Sequence, residues 1–383
     1  MKLELKRKEF LKSWQTAERF AGTKSVSEAA QGIYIKASED GQVTLKATDL
    51  KTSVKLKAEG VNILEPGEAV IPVLIFGSML KKAEEDELLI DITTERGFMK
   101  SGKNKTKFAV IPPDRFPAIS ESPDGEEVCA VQGGILAKLI LEGNSAASLP
   151  DDYPKYLGTC LLRTMAGSAR IVSTDGKRLS LSQCFCDTVK AEKDLILPAL
   201  AMKELGKNLS AYQDKGIRIS ANEYMAWFSA DDIEFSLRLV DAAFPKYERI
   251  LNDVIQTSLK VKGSDLTSAL ERIDIIARTK PARTAVLSLN PDGVIKITAR
   301  SPEAGMASEE FFAEIDGEPM TVGFTVGYFL DGLKVLGADD ICIEFSGAET
   351  QLRMKRKNSD DFLYMLMPAR LSEQDKFSED ELQ

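Results

Sequence analysis

Apolar residues recur at helical spacing in two stretches of the chain. Phe10, Trp14, Ala17 and Ala21 keep an i, i+4, i+7, i+11 rhythm, and so do Leu266, Leu270, Ile273 and Ala277. That rhythm puts each set on one face of a helix. A third amphipathic stretch, 134–147, is apolar at Ile135, Leu136, Leu139 and Ile140. Between these lie strand-like alternations, each following a glycine: Val43, Leu45 and Ala47 after Gly41; Ala169, Ile171 and Ser173 after Gly167; Ile295, Ile297 and Ala299 after Gly293. The glycines stand 126 residues apart, so the pattern is an internal repeat. Pro72 and Pro198 share that spacing and precede helix-like runs at 73–83 and 199–209, with a third run at 324–336. Two strand-like stretches close each repeat, the first two ending in Phe116-Pro117 and Phe244-Pro245.

The expected unit is helix, strands, helix, strands. Three such units give an α+β chain of three similar domains, each with two helices on an antiparallel sheet. Turn-rich joins at Ser122-Pro123-Asp124-Gly125 and Asn252-Asp253 place the domains at 1–124, 125–252 and 253–371. Residues 372–383 hold five acids and one lysine, a net charge of −4, and read as an acidic C-terminal tail.

Composition then removes whole classes of chemistry. There is no histidine. Serine–histidine and cysteine–histidine nucleophiles and histidine zinc sites are therefore excluded. The five cysteines are scattered, as expected of reduced thiols, and Cys184-Phe185-Cys186 reads as alternating strand positions rather than a metal pair. No Gly-rich phosphate loop follows a strand, and no metal or cofactor is expected. Asp49 and Asp175 occupy the same repeat position; aspartates after a threonine at a strand end accept turn hydrogen bonds, so no catalytic residue is assigned. The N-terminus alternates charged and apolar residues without a signal-peptide core, and no apolar run nears the roughly 18 residues of a membrane span. A cytoplasmic protein with no membrane contact is expected.

With 50 Lys and Arg against 59 Asp and Glu, the net charge of −9 argues against a nucleic-acid partner if the charges are spread evenly. They are not. The helical segments carry Lys8, Lys12, Arg19, Lys81, Lys82, Lys138, Lys203, Lys207, Arg272 and Lys334. Helices facing one surface would form a basic lining able to touch phosphates without reading bases.

Three landmarks bring in a family: Thr174-Asp175-Gly176-Lys177-Arg178-Leu179, Phe244-Pro245-Lys246-Tyr247-Glu248-Arg249-Ile250-Leu251, and Tyr364-Met365-Leu366-Met367-Pro368-Ala369-Arg370-Leu371. In this order, on a threefold repeat, the chain from Met1 to Leu371 resembles the bacterial beta sliding clamps, the processivity subunits of DNA polymerase III. The resemblance implies a head-to-tail homodimer closed into a ring of six clamp domains around duplex DNA. It implies an accessory, non-enzymatic subunit that tethers the polymerase III catalytic subunit, the clamp loader, other polymerases and repair proteins through short clamp-binding peptides. The matching peptide-pocket positions are Leu157, Thr174, Gly176, Lys177, Arg178, Leu179, Pro245, Arg249, Ile250, Met365, Leu366, Met367, Pro368, Ala369 and Arg370. Phe108 and Val110 match positions that pack against Ile275 and Ile276 of the other subunit. Lys24, Lys155 and Tyr156 match family positions near DNA; with Lys12, Lys82, Lys138, Lys203, Lys207 and Lys334 of the helical segments they are the expected DNA-facing residues. The chain departs from the family with lysine at 177 in place of histidine, with alanine at 369 in place of methionine, and with the acidic tail. The readings set against this one are a carboxylate enzyme using Asp49 or Asp175 and a three-domain scaffold with no DNA role.

Overall fold

The structure, a computed structural model, describes residues 1–122, 125–150, 152–251, 254–290 and 292–371. The acidic tail and the joins at Pro123-Asp124 and Asn252-Asp253 lie outside the described residues. The repeat is visible in the backbone itself. Gly41, Gly167 and Gly293 all turn through the left-handed region, with φ of +83°, +73° and +84°, which side-chain-bearing residues enter only at a cost. The strands that follow, Val43–Thr48, Ser168–Thr174 and Val294–Ser301, bury the alternate residues named above. Around Gly167 nothing lies where a Cβ would go. Gly167→Ala should therefore lower stability by about 1 kcal/mol through backbone strain alone, read as a lower denaturant midpoint at unchanged slope; an unchanged midpoint would contradict this.

Six α-helices occur among the described residues: α1 (Arg7–Glu18), α2 (Val73–Lys82), α3 (Gly133–Gly143), α4 (Ala199–Leu209), α5 (Gly263–Ala277) and α6 (Val326–Leu336). Proline fixes the start of α2 and α4: Pro72 and Pro198 sit immediately before the first helical residue, with φ of −57° and −61°. At α6 that place is taken by Thr325, one residue later than the period requires.

The sequence reading needs three corrections. Each repeat opens with a strand before its first helix (Lys2–Lys6, Glu126–Gln132, Thr257–Lys262). The charge alternation at the N-terminus that excluded a signal core is this strand: Leu3 and Leu5 are buried and their charged neighbours are not. Each second helix is followed by three strands rather than two, as in Asp340–Phe345, Leu352–Arg356 and Phe362–Leu366. Finally, Ile135 is 42% exposed; of the four expected positions only Leu136, Leu139 and Ile140 are buried, with Ala137 beside them.

The chain divides into two compact units, one of Met1–Ala137, Thr164–Gly167 and Phe185–Val240, the other of Lys138–Arg163, Ser168–Cys184 and the chain from Asp241. In the first, Lys2–Lys6 lies between Val61–Glu65 and Glu87–Ile92 in a five-stranded antiparallel sheet that has Asn104–Ala109 as one outer strand. A nine-stranded sheet in the same unit pairs Ile233–Arg238 with Thr52–Lys57, placing Phe235 opposite Val54. Repeat-one and repeat-two strands thus share one sheet, leaving neither with a free edge at that join. Rings of Phe10, Trp14, Phe76 and Phe108 stack in sequence with centroids 4.8–6.2 Å apart, tying α1 and α2 to the five-stranded sheet.

The second unit repeats the device. Arg178–Phe185 pairs with Phe362–Leu366, which pairs in turn with Leu352–Arg356. A separate four-stranded sheet has Gly305–Phe312 as one outer strand. Helices α5 and α6 cover a core of Leu266, Leu270, Ile273, Phe324, Phe329, Tyr364 and Leu366, among others. Among the described residues no helix is long and apolar enough to cross a membrane.

Candidate partner-binding surface and helix lysines

Thr174 to Arg178 form a turn whose donors and acceptors are tied locally. The Thr174 hydroxyl donates to the Arg178 carbonyl (2.6 Å) and accepts from the Gly176 N–H (3.0 Å); Asp175 Oδ1 accepts from the N–H groups of Lys177 (2.9 Å) and Arg178 (3.0 Å). Asp49 caps its own turn in the same way, accepting from the N–H of Lys51 and Thr52. Both aspartates therefore have a structural task. Gly176, at φ +84° with open space about it, leaves the tip of the turn bare to an approaching backbone.

The Arg178 side chain anchors the turn to the rest of its unit. Its Nε donates to Asp175 Oδ2 (2.9 Å), and its Nη1 donates to Asp331 Oδ2 (2.5 Å) and the Tyr364 hydroxyl (3.0 Å). The guanidinium lies 4.5 Å from the centre of the Tyr328 ring, whose carbonyl accepts the Tyr364 O–H (2.9 Å). Burial works against the Arg178 charge, but Tyr364, Asp331 and Asp175 outweigh it and raise the pKa above the usual arginine value. Tyr328, Asp331 and Tyr364 were not among the expected site residues. Asp331 lies 153 residues from Arg178, and a single sequence gives no sign of that pairing.

Strand pairing places Leu179 opposite Met365 and Arg178 opposite Leu366, and the Met367 N–H extends the ladder to the Lys177 carbonyl (2.8 Å). Pro368 and Ala369 continue from it, with the Ala369 N–H donating to Gly323 (2.8 Å). Pro245 accepts from the Tyr247 N–H (2.8 Å) and so starts the short turn Tyr247–Ile250, whose last carbonyl accepts from Arg353 (3.2 Å). Exposure sorts the expected residues. Gly176, Lys177, Pro245, Arg249, Ile250, Met367 and Arg370 are exposed; Leu157, Arg178, Pro368 and Ala369 are half-buried; Thr174, Leu179, Met365 and Leu366 are buried. Leu366 sits in the helix-covered core, on the opposite sheet face from Met365. It supports the surface from beneath.

The cations of the helices and of the expected DNA-facing set fall into two groups. Lys81 bonds to Glu18, Lys138 to Asp361, Lys207 to Glu204 and Arg272 to Glu309. Lys12, Lys24, Lys82, Lys155, Lys203 and Lys334 are exposed with no carboxylate in ion-pair range among the described residues. Tyr156 is half-buried, its ring 6.2 Å from that of Phe244.

Lys138 belongs to a network. Asp361 accepts from Lys138 (2.7 Å) and Arg356 (3.2 Å), and Arg356 also donates to the buried Glu142 (2.5 Å). Burial opposes ionisation of Asp361, but hydrogen bonds from Lys138 and Ser359 and the charges of Lys138 and Arg356 prevail, lowering its pKa from 3.8 to about 2. A depressed carboxylate stabilises the fold above its unfolded pKa, and the contribution fades as pH falls through the folded value. The stability gap between the protein and its Asp361→Asn variant should thus be full at pH 7 and smaller at pH 3, measured by urea midpoints; an equal gap at both would contradict the assignment.

At the expected seam, Ile275 is 60% exposed on α5, whereas Ile276 packs against the core of its own unit. Phe108 is 5% exposed; its ring stacks on Phe76 and covers Gly97, so it belongs to its own core. Val110 is half-buried just beyond the outer strand.

Three family models tile the chain in order: the N-terminal domain of the DNA polymerase III beta subunit over residues 1–120, its central domain over 130–246 and its C-terminal domain over 248–370. The chain belongs to the DNA polymerase III beta subunit family. It is 29% identical to the beta sliding clamp of Pseudomonas aeruginosa over 338 residues, covering 87% of this chain and 90% of that protein. It is 26% identical to the beta sliding clamp of Vibrio cholerae over 373 residues, 97% of this chain and 100% of the other. The crystal structure of the P. aeruginosa sliding clamp bound to griselimycin superposes with a TM-score of 0.89 at 25% identity, covering 97% of this chain and 100% of that one. A Bacillus subtilis sliding-clamp structure matches equally well in fold, at 24% identity. For a beta subunit, the three turn glycines and the three domain models are one observation made twice.

Proposed function

We propose that the protein is a DNA sliding clamp: two copies joined head to tail enclose duplex DNA and hold the replicative polymerase and other replication and repair proteins on it, without catalysing a reaction themselves. The observation that carries this reading is the unbroken series of three beta-subunit domains over residues 1–370. The proposed domain limits are 1–124, 125–252 and 253–371 and the proposed location is cytoplasmic; the three family-model spans, 1–120, 130–246 and 248–370, support a division into three domains. Exposed lysines with no carboxylate in ion-pair range among the described residues suit such a role, since weak ionic contacts to phosphates carry no sequence information and do not arrest sliding. Closure requires an adhesive edge on each end of the chain. Asn104–Ala109 and Gly305–Phe312 are both outer strands with unpaired backbone groups. The first carries or adjoins exposed Lys103, Lys105 and Lys107; the second adjoins exposed Glu303 and carries Glu309 and Glu310, which are already bonded to Arg272 and Lys296 of their own unit. The surface around Met367, Ile250, Pro245 and Gly176 is the proposed dock for clamp-binding peptides, with apolar side chains for the peptide's own and Gly176 for close backbone approach. Raising salt from 50 to 200 mM should weaken binding to linear duplex more than tenfold, measured by fluorescence anisotropy; salt-independent binding would contradict the lysine lining.

A further inference from the structure

The sheet face that carries Leu179 and Met365 does not end there. Side chains two residues apart on a strand share a face, so Leu181 and Gln183 continue from Leu179, while Leu363 continues from Met365. Arg353 and Lys355 lie opposite Met365 and Leu363 on the neighbouring strand. Beside these residues the surface sinks into a cavity of about 240 Å³, also bordered by Arg170, Leu251, Glu344 and Asp360. Leu251 directly follows Ile250 of the proposed peptide dock, and Arg353 donates to the Ile250 carbonyl. Dock and cavity are therefore adjoining parts of one surface within one unit.

One cation of this cavity, Arg170, has no carboxylate in ion-pair range among the described residues. Lys355 is neutralised by Glu344 at 2.7 Å, with Asp360 at 3.7 Å. Arg170 has neutral acceptors only, Gln183 Oε1 (3.0 Å) and the Tyr247 hydroxyl (3.5 Å), and its Nε is buried with no acceptor. A buried guanidinium N–H with no acceptor, such as the Arg170 Nε, is a costly arrangement unless an acceptor arrives to complete it. Nothing in the fold requires it, since strand positions facing out tolerate ordinary polar residues.

We propose that this cavity is a second recognition pocket of the peptide dock, taking a carboxylate side chain of the bound partner two to four residues from the partner's apolar anchor. The spacing follows from about 3.3 Å per residue along an extended peptide and the two to four strand positions between Leu179 and the cavity. The proposal rests on the peptide-dock reading above. It gives the dock a preference that apolar contacts alone cannot supply, because an acid at the right offset forms an ion-paired hydrogen bond with the guanidinium, whereas an amide at the same offset forms only the weaker bond to a neutral acceptor.

The test uses the full chain and fluorescein-labelled ten-residue peptides. Each carries a fixed Leu-Phe pair in a Gly/Ser background, with Glu or Gln at one of the four positions on either side. At one offset the Glu peptide should bind at least fivefold tighter than its Gln twin. That ratio should fall to about one in Arg170→Gln and persist in part in Arg170→Lys. Equal binding of Glu and Gln at every offset, or a ratio unchanged by Arg170→Gln in a folded variant, would overturn the pocket while leaving the dock. Absence of binding by every peptide would overturn the dock, and the pocket with it.

Discussion

Ile275→Glu is expected to turn the protein from a dimer into a monomer. Ile275 is the most exposed apolar side chain of α5, at 60%, and its neighbour Ile276 already packs inward. An exposed isoleucine on a helix contributes little to its own fold, so the variant should keep its thermal midpoint within a degree or two. In the proposed ring, however, that side chain lies in a seam of roughly 800 Å² per partner. A glutamate buried there without a partner costs about 3–5 kcal/mol, or at least a hundredfold in dimer affinity. Light scattering at micromolar concentration should give a mass near the 42.1 kDa of one chain for the variant and twice that for the parent. A parent protein already at 42.1 kDa, or a variant that stays dimeric, would count against the seam. Phe108 is the wrong place for this experiment, since it is part of a four-ring stack and its removal would report on folding.

Ending the chain after Leu366 should abolish binding of a peptide copied from the C-terminus of the polymerase III catalytic subunit, with a loss of at least thirtyfold. The cut removes Met367, Pro368, Ala369, Arg370 and Leu371, which follow the last strand, together with residues 372–383, and spares Met365 and Leu366, which are buried in the sheet. A cut before Met365 would sever a central strand and confound binding with unfolding. Loss of a central anchor costs about 2 kcal/mol or more in an interface, which sets the expected factor. The dimer mass should be unaffected. Unchanged peptide affinity, by fluorescence anisotropy, would place the dock elsewhere.

Much of this architecture was legible because it is repeated. One turn glycine means little; three at a fixed spacing, each before the same buried alternation, exposed the threefold plan and both helices of each repeat. What stayed hidden was non-local. The pairing of Ile233–Arg238 with Thr52–Lys57 joins residues some 180 positions apart, and periodicity sees only a single strand at a time. The opening strand at Lys2–Lys6 escaped because its charged face dominated the reading, although Leu3 and Leu5 had the right alternation. At the dock, the family resemblance supplied positions but not exposure. Met365 and Met367 look alike in the sequence, yet one is 2% and the other 47% exposed, because the strand ends between them. The partners of Arg178 depend on α6 lying where Asp331 can reach it, a fact of tertiary packing.

The central claim is topological: the protein stays on DNA by surrounding it. Loaded onto closed circular duplex by a clamp loader and passed over a gel-filtration column at 150 mM salt, the protein should co-elute with the DNA. Cutting the circle once before the column should release it, because a ring slides off an end. Equal retention on closed and cut circles would contradict the account.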